Sequence, residues 1–101
     1  MIRATLRMRV RPGREEDFTA AWKKIALTAS RTPGNLRQAL LRGGPHEFVI
    51  TSDWDDRESF HAFERSPEQD ALTAPLRELR ESAQLELTDI LSHFDSTGDD
   101  R

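Results

Sequence analysis

Residues 48–67 read FVITSDWDDRESFHAFERSP, and the stretch changes period in the middle. Phe48, Ile50, Ser52 and Trp54 fall on alternate positions, which places them on one face of an extended strand. From Asp55 the alternation stops. Asp55 with Glu58 three residues on has the form of a capping box, and Phe60 and Phe63 supply the apolar stripe of a short helix. Ser66-Pro67-Glu68-Gln69 is a second helix start, with Ser as cap, Pro in the first turn and Gln closing the box. One of the chain's two tryptophans therefore sits at the corner between strand and helix. It is read either as a core anchor or as the wall of a site.

Toward the N-terminus, Ile2, Ala4, Leu6, Met8 and Val10 alternate as a first strand with one buried face. Pro12-Gly13 breaks it, and Glu15, Glu16 and Asp17 put negative charge where a helix has its partly positive end. Phe18, Trp22, Ile25 and Ala29 continue at helical spacing up to the turn signal Thr32-Pro33-Gly34. Leu36 to Arg42 and Glu47 to Trp54 form a strand pair joined by Gly43-Gly44-Pro45-His46. Beyond the quoted stretch, Leu72, Leu76 and Leu79 make a helical stripe in which Pro75 predicts a kink or a restart. Ala83, Leu85 and Leu87 alternate again, and the change of phase at Ile90 and Leu91 predicts a bulge.

The order β-α-β-β-α-β predicts an α+β, ferredoxin-like fold: an antiparallel sheet with helices on one face and the first strand between the third and fourth. Its opposite face would carry Arg3, Thr5, Arg7 and Arg9 beside Glu47, Val49, Thr51 and Asp53, an arrangement suited to cross-strand charge pairing. Such a face is either solvated or a contact between two copies, and Leu41 and Val49 favour the contact. A homodimer through sheet faces is the working expectation.

The chain has 101 residues, which fits one compact domain over residues 1–94, with the small, polar and acidic 95–101 expected to be a disordered tail. A net charge of −3 and a pI near 5.6 argue against a nucleic-acid partner. No cysteine is present, which removes thiolate chemistry and Cys-ligated metal. The N-terminal decapeptide has neither a signal peptide's apolar centre nor a membrane span, so a cytoplasmic protein without a membrane partner is expected.

Candidate chemistry is sparse. No nucleotide-binding or nucleophile-elbow motif occurs. Of the three histidines, His46 falls in the hairpin and His93 near the tail, while His61 follows Phe60 on the helix and could border a cleft. No histidine pair has metal-ligand spacing, so no metal site is expected. Asp55 or Asp56 serves as a helix cap rather than in catalysis. Arg57, Arg77 and Arg80 could steer an anionic or phenolate substrate, although solvated helix charges are more common. A cleft between helices and sheet would be largely apolar, the usual form of a small-molecule site.

The first-strand alternation, RPGREEDF at residues 11–18, the TPG turn at 32–34 and the quoted stretch together resemble the antibiotic biosynthesis monooxygenase family over residues 2–94. The resemblance implies a dimeric α+β barrel and an oxidation of aromatic polyketide intermediates that needs no cofactor, neither metal, flavin nor haem. There the substrate's own ionised ring activates oxygen, and the protein positions and desolvates it. Trp54 matches the family tryptophan. The amide four residues before it is Ile50 here, and the tyrosine six after it is Phe60. The family arginine falls at Ala74, with Arg77 three residues on. In the haem-degrading branch the axial histidine would be Glu64 and the first-strand asparagine about Leu6, which disfavours haem. On the oxygenase reading Trp54 and His61 are the candidate catalytic residues, and Trp22, Phe48, Ile50, Phe60 and Arg77 are the candidates to hold a small aromatic substrate. A polyketide cyclase using the same cleft and a non-catalytic binding module are the alternatives.

Overall fold

The computed structural model describes residues 1–94, 96 and 98, so most of the expected tail at 95–101 lies outside the described residues. The elements run β1 (Ile2–Val10), α1 (Glu15–Ser30), β2 (Asn35–Arg42), β3 (Glu47–Trp54), α2 (Arg57–Glu64), α3 (Pro67–Leu79) and β4 (Arg80–Asp89). Their four strands form one antiparallel sheet in the order β2-β3-β1-β4, the ferredoxin-like α+β arrangement.

The register follows from the alternation in β1. Leu6 lies opposite Ile50 on one side and Leu85 on the other, and Ala4 lies opposite Ser52 and Leu87. Because side chains alternate across a strand, these residues share the face covered by α1, α2 and α3. Part of the outer face's charge is paired. Arg9 meets Glu47 at 4.0 Å and Glu81 at 3.5 Å. Asp53, 1% exposed, takes two hydrogen bonds from Arg3 at 2.7 and 3.0 Å and lies 3.2 Å from Arg37. A buried carboxylate held by two guanidinium groups avoids most of the cost of an unpaired charge.

Three local expectations change. The cap of α2 is Asp56, whose extended backbone lets its carboxylate accept from the Ser59 N–H at 2.8 Å; Asp55 precedes it and donates its own N–H to the Gly34 carbonyl at 2.8 Å. Pro75 lies within a continuous α3, with no restart. Both it and Ala71, whose carbonyl loses a helical partner to the proline, are exposed, so water can satisfy that group. The bulge opens β4 rather than ending it: Arg9 pairs with Ser82 and Val10 with Arg80, leaving Glu81 as the extra residue where α3 passes directly into the strand. The cap Ser66 accepts from the Gln69 N–H at 3.1 Å, as the sequence pattern predicts.

Gly34 fixes how β2 meets α2. Its φ of +90° lies in the left-handed region, and a Cβ there would collide with the Ser59 side chain.

The core divides in two. Met8, Val10, Phe18, Ile25, Phe48, Leu76 and Leu79 form one cluster, and Ile2, Ala4, Trp54 and Phe60 form the other. Where they meet, the small side chains Ala4 and Ser52 of the sheet and Ala29 of α1 leave a space open.

Candidate functional site

That space is a cavity of about 310 Å³, with walls drawn from both core clusters. The sheet supplies a floor of Ala4, Leu6, Gln38, Ile50, Ser52 and Trp54. Helix α1 adds Trp22, Ile25 and Ala29. Phe60, Phe63 and Glu64 come from one face of α2, as their spacing of three and four from Phe60 requires. A polar wall comes from α3 and its junction with β4, where Gln69, Asp70, Thr73, Leu76, Arg77 and Arg80 follow one another at helical spacing. Glu64, Asp70, Arg77 and Leu85 are lining residues that are also solvent-exposed, so they mark the mouth.

Trp54 is both anchor and wall. It is 0% exposed, packs edge-on to Phe60 with ring centroids 5.9 Å apart and tilts against Phe63 at 5.0 Å, and still borders the cavity. Such ring pairs add about 0.5–1.5 kcal/mol beyond their buried area. Its indole N–H donates to the Ser52 hydroxyl at 2.9 Å, so this donor is already committed within the protein.

Of the residues expected at the site, Trp22, Ile50, Trp54, Phe60 and Arg77 line the cavity together. His61 and Phe48 do not. His61 is one residue, hence about 100° of helical rotation, away from Phe60. Its ring lies 3.3 Å from the Glu64 carboxylate on the solvent side, with 42% of the side chain exposed. Phe48 sits in the other core cluster, edge-on to Phe18 at 5.4 Å and beneath the Arg42 guanidinium.

The side chains at the family's amide and tyrosine positions, Ile50 and Phe60, both face the cavity and are apolar. Polar atoms enter instead from Gln38, Ser52, Gln69, Thr73 and Arg80. Ser52 shares the Phe48–Trp54 face in the alternation, and Gln38 shares that of Leu40, so their positions were readable. Gln38 donates to the Ala26 carbonyl, tying β2 to α1. Arg77 donates to the Thr73 hydroxyl at 2.8 Å and lies 3.3 Å from the Asp70 carboxylate. The side-chain oxygen of Gln69 is buried with no hydrogen-bond partner. Burial pushes the Arg80 guanidinium below its ordinary pKa, and the charge of Arg77 lowers it further.

Among the described residues, no group of three or more His, Cys, Asp or Glu side chains is placed to hold a metal ion, and no helix is long and apolar enough to cross a membrane. No curated protein matches the sequence significantly. The fold has close counterparts among solved structures. SnoaB, a cofactor-independent oxygenase from Streptomyces nogalater, superposes with a TM-score of 0.81 at 23% identity, over 88% of this chain and 91% of that one. A Nitrosomonas europaea protein described as an antibiotic biosynthesis monooxygenase gives 0.83 at 18% identity, over 89% of each chain. One from Deinococcus radiodurans, described likewise, gives 0.83 at 16% identity, over 97% of this chain and 100% of that one. The sequence model of the antibiotic biosynthesis monooxygenases matches residues 1–74. The chain belongs to the antibiotic biosynthesis monooxygenase family.

Proposed function

We propose that the protein is a cofactor-independent monooxygenase acting on a phenolic or anthrone-like aromatic intermediate of polyketide type, in secondary metabolism, as a cytoplasmic homodimer joined through its sheet faces. The observation that carries this reading is the cavity itself. It is enclosed by Trp22, Trp54, Phe60 and Phe63 on its apolar sides and bordered by arginine on another.

In the proposed reaction an anthrone loses a proton and its electron-rich anion reduces molecular oxygen. One oxygen atom becomes the new ring carbonyl; the other leaves as water together with the two hydrogens of the oxidised carbon. The protein's part is to hold the ring flat between aromatic side chains, to exclude water, and to favour the anion. Ile50 and Phe60 add only apolar contact. His61 takes no part in this scheme, because it does not line the cavity and its ring pairs with the Glu64 carboxylate at the mouth. On the outer face, Leu41 is 50% exposed beside half-buried Val49, which supports a second copy as the covering partner.

The test is oxygen uptake with dithranol in chelator-treated buffer, with product identified under air and under argon. Protein-dependent quinone formation that stops under argon supports the oxygenase. Conversion that proceeds equally well under argon sinks it. Ring closure of a linear poly-β-keto substrate under argon would establish the cyclase instead.

A further inference from the structure

Among the described residues, Arg3 and Arg80 are the two least exposed arginines. Arg3 has the Asp53 carboxylate. The Arg80 side chain has no hydrogen-bond or ion-pair partner among the described residues, and it lines the cavity. Its neighbour Arg77 is committed to Thr73 and Asp70 and stands at the mouth. The Asp70 carboxylate offsets the charge of Arg77. What is left over inside is therefore one positive charge without an acceptor, on a fork of N–H donors that fits a carboxylate or a charged oxygen.

A half-buried guanidinium with no acceptor gives up hydration and gains nothing within the chain in return. Its backbone position is fixed, because Arg80 pairs with Val10 at the start of β4, just before the bulge. The direction of its pKa displacement agrees with a site that gains by receiving an anion. The carboxylates that also border the cavity are occupied elsewhere: Asp70 with Arg77 and Glu64 with the His61 ring. On the same wall the partnerless Gln69 oxygen accepts a hydrogen bond from any ligand hydroxyl that reaches it.

We propose that the cavity selects aromatic ligands in their anionic form, with the charged oxygen seated on Arg80 and the rings against Trp22, Trp54 and Phe60. This deepens the function proposed above by naming the charge state and anchor of the ligand, and it rests on that use of the cavity. The anion has two possible sources, a carboxylate substituent or an ionised phenol of the ring itself.

Binding without turnover separates the two sources, and separates both from oxygenase activity. Tryptophan fluorescence titrations compare naphthoate with its neutral isostere naphthamide, on the wild type, Arg80→Gln and Arg80→Lys. A second titration follows the absorbance of bound nitronaphthol against pH. A carboxylate seat gives naphthoate a preference of about tenfold or more over naphthamide, lost in Arg80→Gln and largely kept in Arg80→Lys. A phenolate seat lowers the ionisation pH of bound nitronaphthol in the wild type but not in Arg80→Gln. Either result supports the inference and identifies the source. Unchanged selectivity and unchanged nitronaphthol ionisation in Arg80→Gln overturn it, provided circular dichroism shows that variant folded. If Arg80→Gln does not fold, wild type without either charge preference overturns it equally. Arg80-dependent anion binding with no oxygen uptake leaves this inference standing and refutes the oxygenase alone.

Discussion

The Trp54 indole N–H donates to the Ser52 hydroxyl, 2.9 Å away and two residues back along β3. Trp54 is thereby a fixed wall whose polar edge is turned to its own strand. Replacing Ser52 with Ala leaves that buried donor unsatisfied, at an expected cost of about 1–3 kcal/mol. Trp54→Ala removes the centre of one core cluster and should cost about 3–5 kcal/mol. Urea denaturation checks both. An unchanged midpoint for Ser52→Ala would mean that the indole finds another acceptor in the cavity.

On the outer face, Asp53 can lose either arginine and still retain a partner. Arg3→Met and Arg37→Met keep much of the covering bulk while removing the charge. Each alone should cost little, because the remaining guanidinium still neutralises the carboxylate. Together they leave it buried and unpaired, so the double variant should exceed the sum of the singles by about 0.5–3 kcal/mol. A thermodynamic double-mutant cycle measures that excess, and strict additivity would mean that the two arginines do not share the load.

Acid should weaken the junction between the hairpin and α1. The Glu15 carboxyl is held below its usual range, first by a backbone N–H at the start of the helix and then by the His46 ring at 2.8 Å. Since its folded pKa lies below the unfolded one, its contribution is complete above the ordinary glutamate value of about 4.3 and is lost as pH falls through the lowered one. Asp56, lowered by the Ser59 N–H it caps, acts with the same sign. The stability advantage of wild type over Glu15→Gln should therefore be flat at neutral pH and shrink below about pH 4. A constant gap down to pH 2–3, on the order of the lowest range reached by such titrations, would show that ionisation of Glu15 is not what stabilises the junction.

The sheet order and register were legible because β1 and β3 alternate without interruption and the two helix starts carry their own cap signals. Finer features depended on tertiary geometry. Asp55 and Asp56 are equivalent as cap residues on paper; the backbone at Asp56 is extended, and Asp55 is drawn to Gly34 instead. A shift of phase at Ile90 suggested a bulge, while the real one lies at Glu81, where a helix runs into a strand with no loop to absorb the mismatch. Trp22, Ile50, Trp54, Phe60 and Arg77 could be gathered from their faces, whereas His61 was adjacent in sequence to a cavity residue but on another side of its helix. Arg80 was one of three candidate arginines. What singles it out is the absence of an acceptor around it, a property that belongs to the folded surroundings and has no sequence signature.

The most direct measurement compares oxygen consumption by the wild type and Ile50→Trp with dithranol as substrate. Ile50 lies on the cavity floor opposite Leu6, so the larger ring fills the space where the substrate would sit. The expected result is uptake of one oxygen molecule per anthrone above the buffer rate for the wild type, and uptake at the buffer rate for a folded Ile50→Trp. Equal rates for the two proteins would contradict the assignment of oxygen chemistry to this cavity.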